Sequence, residues 1–270
     1  LVEDVQSAVN SDAVFAPILG IYVMGSFGSI SQTSASDLDI WICHQDDLSE
    51  QDQQRLAEKT KKISLWASTF HVEMHFYLMT QKRFRNERYS DPLTKENSGS
   101  AQYMLLLEEF YRSAVRLSGK PLLWLHLWVE DEKQYESEVS RLVEAGELDP
   151  KDWVDFGGLG HISASEYFGA SLWQLYKVID SPYKSVMKIL LLETYAQEYP
   201  NAHLIARQFK EDLLSGRSTA AHHFDPYIAI LERISQYLTA HSEFKRLDFV
   251  RSCFYVKATE DFALYHASNW

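Results

Sequence analysis

Two short apolar segments on either side of a loop of small residues restrict the fold of this chain more than any other feature. Residues 18–23 are largely aliphatic or aromatic and are followed by Gly25-Ser26, a pattern that predicts a buried strand and then a tight turn. A serine-rich loop over residues 27–36 leads into a second apolar segment at 37–42. This segment predicts a second strand, so that two strands flank a glycine and serine loop.

The patterns in the rest of the chain change from mixed to helical near residue 130. Before this point we predict a helix over residues 49–66, a strand over 70–79, a loop over 83–97, a helix over 101–117 and a strand over 122–129. After it, apolar periodicity predicts helices, including residues 201–214, 225–238 and 244–257. Ser163 and Glu166 form a capping-box pattern, which predicts a helix start. We therefore expect an α/β (α+β) domain with a short mixed sheet over residues 1–130 and a helical domain over residues 131–270.

The net charge argues against one class of partner. At pH 7 the formal net charge of the 270 residues is -12. A surface of this sign repels polyanions, whereas binding to a nucleic-acid polymer depends on many phosphate contacts. We therefore expect no nucleic-acid polymer as a partner, while a small nucleotide held by a few local cations stays compatible with the composition.

The cysteines and the chain start bear on cellular location. Cys43 and Cys253 are the two cysteines of the chain, too few for a disulfide framework, so we expect free thiols in a reducing cytoplasm. No apolar segment approaches the ~20 residues that cross a bilayer. The chain begins at Leu1 rather than at a methionine and shows no signal-peptide pattern. We expect an excised part of a cytoplasmic protein.

Three acidic residues on predicted strands form the main candidate site. Asp37 and Asp39 are two positions apart at the start of the second strand, so their side chains point to the same face. Glu73 lies on the third strand and alternates with apolar residues, which also places it on a polar face. Neighbouring carboxylates repel one another unless a cation lies between them, and hard oxygen ligands suit Mg²⁺. The pattern predicts a metal site with Asp37, Asp39 and Glu73 as ligands, although an isolated Asp-x-Asp is usually a solvated strand end.

The turn at Gly25-Ser26 has a separate chemical meaning. Glycine allows backbone amides to approach a phosphate group, and the serine hydroxyl can donate a hydrogen bond to it. Two metal ions about 3.5–4 Å apart can bind both the attacking and the leaving oxygen in a displacement at phosphorus. The turn and the carboxylates together favour nucleotidyl transfer, with a triphosphate bound over Gly25 and Ser26 and two Mg²⁺ (or Mn²⁺) ions beside it.

These elements resemble those of the DNA polymerase β-type nucleotidyltransferase superfamily, which implies a fold of that type for the first domain. A more specific resemblance is carried by three longer stretches, Ser36 to Gln45, Glu109 to Arg112 and Glu166 to Lys177, and it continues through residues 180–184. These stretches resemble the class I adenylate cyclases of enterobacteria and their relatives. The resemblance covers nearly the whole chain.

The resemblance implies a reaction. In adenylate cyclases the ribose 3′-hydroxyl of ATP attacks its own α-phosphorus, so that cyclic AMP and pyrophosphate form. By this resemblance Asp37 and Asp39 hold both metal ions, Glu73 binds the metal that activates the hydroxyl or accepts its proton, and Gly25 and Ser26 bind the β- and γ-phosphates. The family is larger than this chain, and the resemblance implies regulatory contact of the full-length protein with the glucose-specific component of the sugar phosphotransferase system.

Four further residues are candidates for nucleotide binding. Lys184 and Lys188 are one helical turn apart, and Lys177 lies on the preceding predicted helix, so all three could bind the triphosphate; three solvated lysines are an equally good interpretation. Trp41 shares the face of the aspartates by count and could contact the nucleotide, although ordinary packing is the usual role of tryptophan. Two other functions stay open: transfer of AMP onto a protein or small-molecule hydroxyl, and a non-catalytic nucleotide-sensing module.

Overall fold

The computed structural model describes residues 17–34, 36–86, 102–216 and 221–259. These parts form a mixed α/β structure in which a four-stranded sheet precedes most of the helices. The strands are β1 (Ile18–Met24), β2 (Leu38–His44), β3 (Met74–Met79) and β4 (Val115–Gly119). The helices are α1 (Glu50–Ser68), α2 (Gln81–Asn86), α3 (Met104–Ser113), α4 (Tyr135–Glu144), α5 (Ala164–Lys177), α6 (Pro182–Gln197), α7 (Ile205–Ser215), α8 (Pro226–Ala240) and α9 (Phe244–Ala258). The predicted α/β architecture with a short sheet followed by helices is confirmed.

The sheet is mixed, with strand order β3-β2-β1-β4. β1 pairs antiparallel with β2 and with β4, while β2 and β3 are parallel. The helix α1 connects the two parallel strands, which need a long crossover connection. The first two strands are therefore joined directly by the glycine and serine loop, and that loop lies at the end of β1 and the start of β2.

The prediction of a strand over residues 122–129 was wrong. Leu123–Leu125 form a short 3₁₀ helix, in which Leu123 and Trp124 are buried. The fourth strand is β4 instead, in a segment that the sequence predicted as the end of a helix. Val115 and Leu117 alternate with Arg116 and Ser118, but every residue of β4 is exposed and the strand is only five residues long, so its short pattern lies within the end of the predicted helix and the turn after it. A short apolar run such as residues 122–129 cannot by itself distinguish a strand from another buried segment.

Other predicted boundaries also changed. The predicted loop over residues 83–97 begins with the helix α2, and its remainder from residue 87 lies outside the described residues. The predicted helices at 201–214, 225–238 and 244–257 are present as α7, α8 and α9. Helix α5 starts where Ser163 predicts, but the capping box does not form: Ser163 makes no side-chain cap hydrogen bond, and Glu166 accepts a hydrogen bond from the Leu105 amide in α3 (2.6 Å).

The sheet packs on both faces. On one face Val23, Ile40 and Ile42 pack with Leu56 of α1 in the smaller of two apolar clusters. On the other face Tyr22 and Trp41 join a larger cluster. This second cluster continues through α3, α6, α8 and α9. Because strand side chains alternate between faces, Asp39, two positions before Trp41 in β2, points toward this helical side as well.

The larger cluster extends across the predicted domain boundary at residue 130. It includes Phe110 and Trp124 from before this position and Met187, Ile230 and Val250 from after it. The division into residues 1–130 and 131–270 stays a prediction. In the described parts of the chain, no helix combines the length and apolar character needed to cross a membrane.

Candidate active site

The two aspartates lie at the start of β2, beside the end of β1. Asp39 pairs with Met24 of β1 on one side and with His75 of β3 on the other. The Tyr77 hydroxyl donates to Asp39 Oδ1 at a distance of 3.4 Å. Asp37 directly precedes β2, and both aspartates are half-buried. The sheet register therefore brings two carboxylates to one face, next to the glycine and serine loop.

The pKa values of the two aspartates are shifted in opposite directions. Burial raises the pKa of Asp37, but the charges of Lys184 and His75, a backbone hydrogen bond and the charge of Lys188 outweigh it and hold the pKa below its ordinary value. Burial and the charge of Asp37 hold the pKa of Asp39 above its ordinary value. The pair thus behaves as two carboxylates that repel each other and that a nearby cation stabilises.

Lys184 of α6 supplies that cation. Its pKa is raised by Tyr227, against the effect of burial, and further by Asp37 and Asp39. Lys184 therefore interacts electrostatically with both aspartates. The predicted role of Lys184 near the triphosphate is compatible with this position.

Lys188, one turn later in α6, has a different environment. Its ammonium donates to Glu109 Oε1 of α3 at 2.6 Å, and both side chains are mostly buried. Burial raises the pKa of Glu109, but Lys188 and Arg112 bring it down to about 2. The charge of Lys188 is thus balanced by a carboxylate of the protein, which connects α6 to α3.

The glycine and serine loop starts with a backbone conformation that favours glycine. Gly25 has a φ of 96°, and a Cβ atom there would lie 3.8 Å from Asp39 Oδ2. The Gly25 amide donates to Ser113 Oγ at 3.1 Å, and Ser26 is buried at 4% exposure. The loop then folds on itself, since the Ser29 amide and hydroxyl both donate to the Ser26 carbonyl. Gly25 therefore makes the turn beside Asp39 at which the loop begins, while its own amide is bonded to Ser113 of α3.

Glu73 lies next to the aspartates in the backbone, and its exposed side chain pairs with His75. The Leu38 amide donates to the Glu73 carbonyl at 2.9 Å, so Glu73 lies beside Asp37 across the β2 and β3 pairing. Its carboxylate is 73% exposed and lies 3.1 Å from His75 Nε2. Within residues 17–34, 36–86, 102–216 and 221–259, no three acidic, histidine or cysteine side chains are gathered into a metal site. The role of Glu73 as a third ligand stays a prediction.

Two family models match the chain. The family described as "Adenylate cyclase NT domain" matches residues 2–125, and the one described as "Adenylate cyclase, class-I, second domain" matches residues 162–270. The chain belongs to the class-I adenylate cyclases. The resemblance seen in the sequence is thereby confirmed.

Similar proteins include longer adenylate cyclases. The adenylate cyclase of Haemophilus influenzae is 73% identical over 98% of this chain and 31% of its own length. That of Escherichia coli strain K12 is 50% identical over 90% of this chain and 28% of its own length. This chain therefore spans about a third of the length of these relatives. A solved spectinomycin adenyltransferase from Enterococcus faecialis, with ATP and spectinomycin, covers 94% of this chain and 97% of its own at 14% identity, but its TM-score of 0.38 supports no conclusion.

Two other candidates in this class-I adenylate cyclase chain contact aromatic rings. Trp41 is 2% exposed, and its ring stacks on Phe110 with centroids 4.1 Å apart. This position favours the packing role over contact with a nucleotide. The Lys177 ammonium lies 5.6 Å from the ring centroid of Trp173, in the same helix α5. Lys177 therefore interacts with a ring of its own helix.

Three residues that interact with the candidate lysines or with the glycine and serine loop were not candidates from the sequence. Glu109 holds Lys188, Tyr227 interacts with Lys184, and Asp225 binds the glycine and serine loop. The Asp225-Pro226 pair predicts a helix start, since aspartate is a preferred N-cap and proline a preferred first residue. No local pattern indicates that the same carboxylate also contacts a loop 195 residues away.

Proposed function

We propose that this chain is the catalytic region of an adenylate cyclase that converts ATP to 3′,5′-cyclic AMP and pyrophosphate. The observation that carries the proposal is the pair Asp37 and Asp39, which share one sheet face and interact with Lys184, with the Gly25 turn beside Asp39. The family supports it as well, because both matching models are of adenylate cyclases. The arrangement offers negative ligands for a metal and a positive group for phosphates, as in-line displacement at phosphorus needs.

The residues at this site fit a divalent metal ion by their donor chemistry. Asp37 and Asp39 are hard oxygen donors on one face, and the lowered pKa of Asp37 keeps that carboxylate ionised. One or two carboxylates with substrate phosphates are a usual ligand set for Mg²⁺. We propose that Asp37 and Asp39 hold Mg²⁺ or Mn²⁺, two ions in the reacting complex, with Glu73 as the third ligand. Bound metal would neutralise phosphate charge and activate the 3′-hydroxyl.

The reaction is a transfer within one substrate molecule. The ribose 3′-oxygen forms a bond to the α-phosphorus, the bond from that phosphorus to the bridging oxygen breaks, and pyrophosphate leaves with the bonding electrons. In this proposal Lys184 offsets the charge of the triphosphate, and the turn at Gly25 and Ser26 orients the β- and γ-phosphates. Glu73 is the proposed acceptor of the hydroxyl proton. To reach the substrate, its exposed carboxylate would move away from its present partner His75.

The test is incubation of the protein with ATP and Mg²⁺ in the absence of any acceptor. Cyclic AMP and pyrophosphate should form in equal amounts, and Asp37→Asn or Asp39→Asn should lower the rate by about a hundredfold or more. Asp248→Asn is the matched control, because this aspartate is 79% exposed on α9. Turnover that appears only after a protein or small-molecule hydroxyl is added would favour AMP transfer. Unchanged turnover and Mg²⁺-dependent ATP binding in both aspartate variants would contradict the catalytic assignment.

Location and regulation extend this proposal to the longer protein. We propose a reducing cytoplasmic location, supported by Cys43 and Cys253, which are both buried free thiols. We also propose regulatory contact of the full-length enzyme with the glucose-specific phosphotransferase component, supported by family membership. The high negative charge supports a small nucleotide rather than a nucleic-acid polymer as the substrate.

A further inference from the structure

The side chain of Asp225 joins two distant parts of the chain. Its Oδ1 atom accepts hydrogen bonds from the Tyr227 and Ile228 amides at 2.9 and 3.0 Å, which caps the start of α8. Its Oδ2 atom accepts a hydrogen bond of 2.6 Å from the Ile30 amide in the glycine and serine loop. The residue is 9% exposed. One buried carboxylate therefore makes charge-assisted hydrogen bonds to a helix start and to a loop, and such bonds are stronger than neutral ones.

The loop contacted by Asp225 is the one that follows Gly25. Its other hydrogen bonds include several within the loop, such as Gln32 Oε1 with the Gly28 amide and the Ser26 carbonyl with Ser29. Bonds of this kind shape the loop but do not place it relative to the helices. The bond from Ile30 to Asp225 does place it, because α8 packs on α6 and α9.

The start of α8 also belongs to a helix that packs on α6, the helix that carries the lysine of the site. Tyr227, two residues after Asp225, is 4% exposed and interacts with Lys184 of α6. Through Asp225, the start of α8 thus connects the loop with the helix that carries Lys184. Both of these groups face the triphosphate in the proposed function.

We propose that Asp225 is a positioning residue that sets the glycine and serine loop at a defined distance from Lys184, so that the phosphates of one nucleotide contact both. This inference rests on the proposed function. Asp225 itself touches no reacting atom in it. Its effect should appear in the affinity for ATP and in the exchange of the Ile30 amide, rather than in the fold.

Asparagine at this position separates the two roles of the carboxylate. Asparagine is as good an N-cap as aspartate, so its single carbonyl oxygen can keep the bonds to Tyr227 and Ile228. Its amide group then faces the Ile30 amide, and two donors cannot bond to each other. Asp225→Ser also keeps a cap and lacks the second acceptor, whereas Asp225→Ala loses both. The comparison of these variants isolates the contact with the loop.

The experiment uses the full-length enzyme that contains this chain. Hydrogen exchange of the Ile30 amide, the KM for ATP, kcat and the thermal unfolding midpoint are measured for the wild type, Asp225→Asn and Asp225→Ser. We expect Ile30 exchange and the KM to rise by about tenfold each, as for loss of a hydrogen bond to a charged group, while the unfolding midpoint stays near the wild type. Ser49→Ala is the control. It removes the hydroxyl that accepts a hydrogen bond from the Asp52 amide at the start of α1, and it should leave the KM unchanged.

The outcomes separate this inference from the function on which it rests. Faster exchange at Ile30 with unchanged KM and kcat overturns the positioning role and leaves the cyclase assignment intact. Unchanged exchange in both variants overturns the contact itself. A wild-type enzyme that forms no cyclic AMP and binds no ATP overturns the proposed function, and the inference with it.

Discussion

Single residues of the site differ because of their surroundings rather than their type. Asp37 and Asp39 are two positions apart, yet the pKa of Asp37 is lowered and that of Asp39 is raised. Burial and repulsion by Asp37 raise the pKa of Asp39, while the cation of Lys184 lowers the pKa of both aspartates. Lys184 and Lys188 differ in the same way, since Tyr227 and the aspartates surround the first and Glu109 holds the second. Residue type alone could identify candidates but could not rank them.

Trp41 allows a direct test at the residue scale. Its ring contacts Phe84, Phe110 and Phe156 in the core. We expect Trp41→Ala to lower the free energy of unfolding by about 3–5 kcal/mol because a large cavity forms. Trp41→Phe should lower it less and should leave the KM for ATP unchanged. Urea unfolding and steady-state kinetics check both parts, and a KM that rises in the folded Trp41→Phe variant would favour contact with the nucleotide instead.

Helices and strands bring the site together through a few buried contacts. β2 places the aspartates, α6 carries the lysines, and α3 holds both the loop and α6, through Ser113 and Glu109 respectively. The helix α3 is thus the element that connects the sheet with the helical part. Glu166 adds a further connection, because it binds the first turn of α3 from α5.

Substitutions in the ion pair of Glu109 and Lys188 can measure how strongly α3 and α6 are coupled. We expect Glu109→Gln to lower the free energy of unfolding by about 3 kcal/mol at pH 7, since it leaves a buried cation without its partner. The double variant Glu109→Gln/Lys188→Met should be less unstable than the sum of the single variants, with a coupling of about 1–3 kcal/mol. Urea unfolding of the four proteins checks this, and additive effects would contradict it. Glu138→Gln, in an exposed pair with Arg141 on α4, should change stability little.

The ion pair of Glu109 and Lys188 also makes the free energy of unfolding depend on pH. The folded pKa of Glu109 is about 2, below its ordinary value of 4.5, so its contribution is fully present above about pH 4.5 and is lost as the pH falls toward 2. The wild type should therefore lose stability over this range more steeply than Glu109→Gln. Equal slopes in the two proteins between pH 5 and 3 would show that the pair does not set this part of the profile.

At the scale of the whole molecule, the larger apolar cluster reaches from the sheet to the last described helix. Tyr22 of β1, Phe110 of α3 and Val250 of α9 all belong to it. Burial of apolar surface is the main favourable contribution to folding, and a shared core makes its parts depend on one another. The sheet and the helices should then lose their structure together.

This predicts a single unfolding transition for the chain. Far-UV circular dichroism follows mainly the helices, while tryptophan fluorescence follows Trp41 and Trp124 among other residues of the core. We expect the two signals to have the same midpoint in urea, as in a cooperative transition. Two separated transitions would instead support independent domains on either side of residue 130.

The amino-acid sequence by itself determined the local features of this protein: the first two strands around the small-residue loop, the helices after residue 200, the pair Asp37 and Asp39 on one face, and membership of the family. Alternation, periodicity and short motifs are properties of neighbouring residues, so they can be seen without a fold. The tertiary structure alone decided the exposed edge strand β4, the core position of Trp41, the pairing of Lys188 with Glu109 and the contact of Asp225 with Ile30. These depend on residues 79 to 195 positions apart, or on which side of a strand is covered, and no local pattern carries that information.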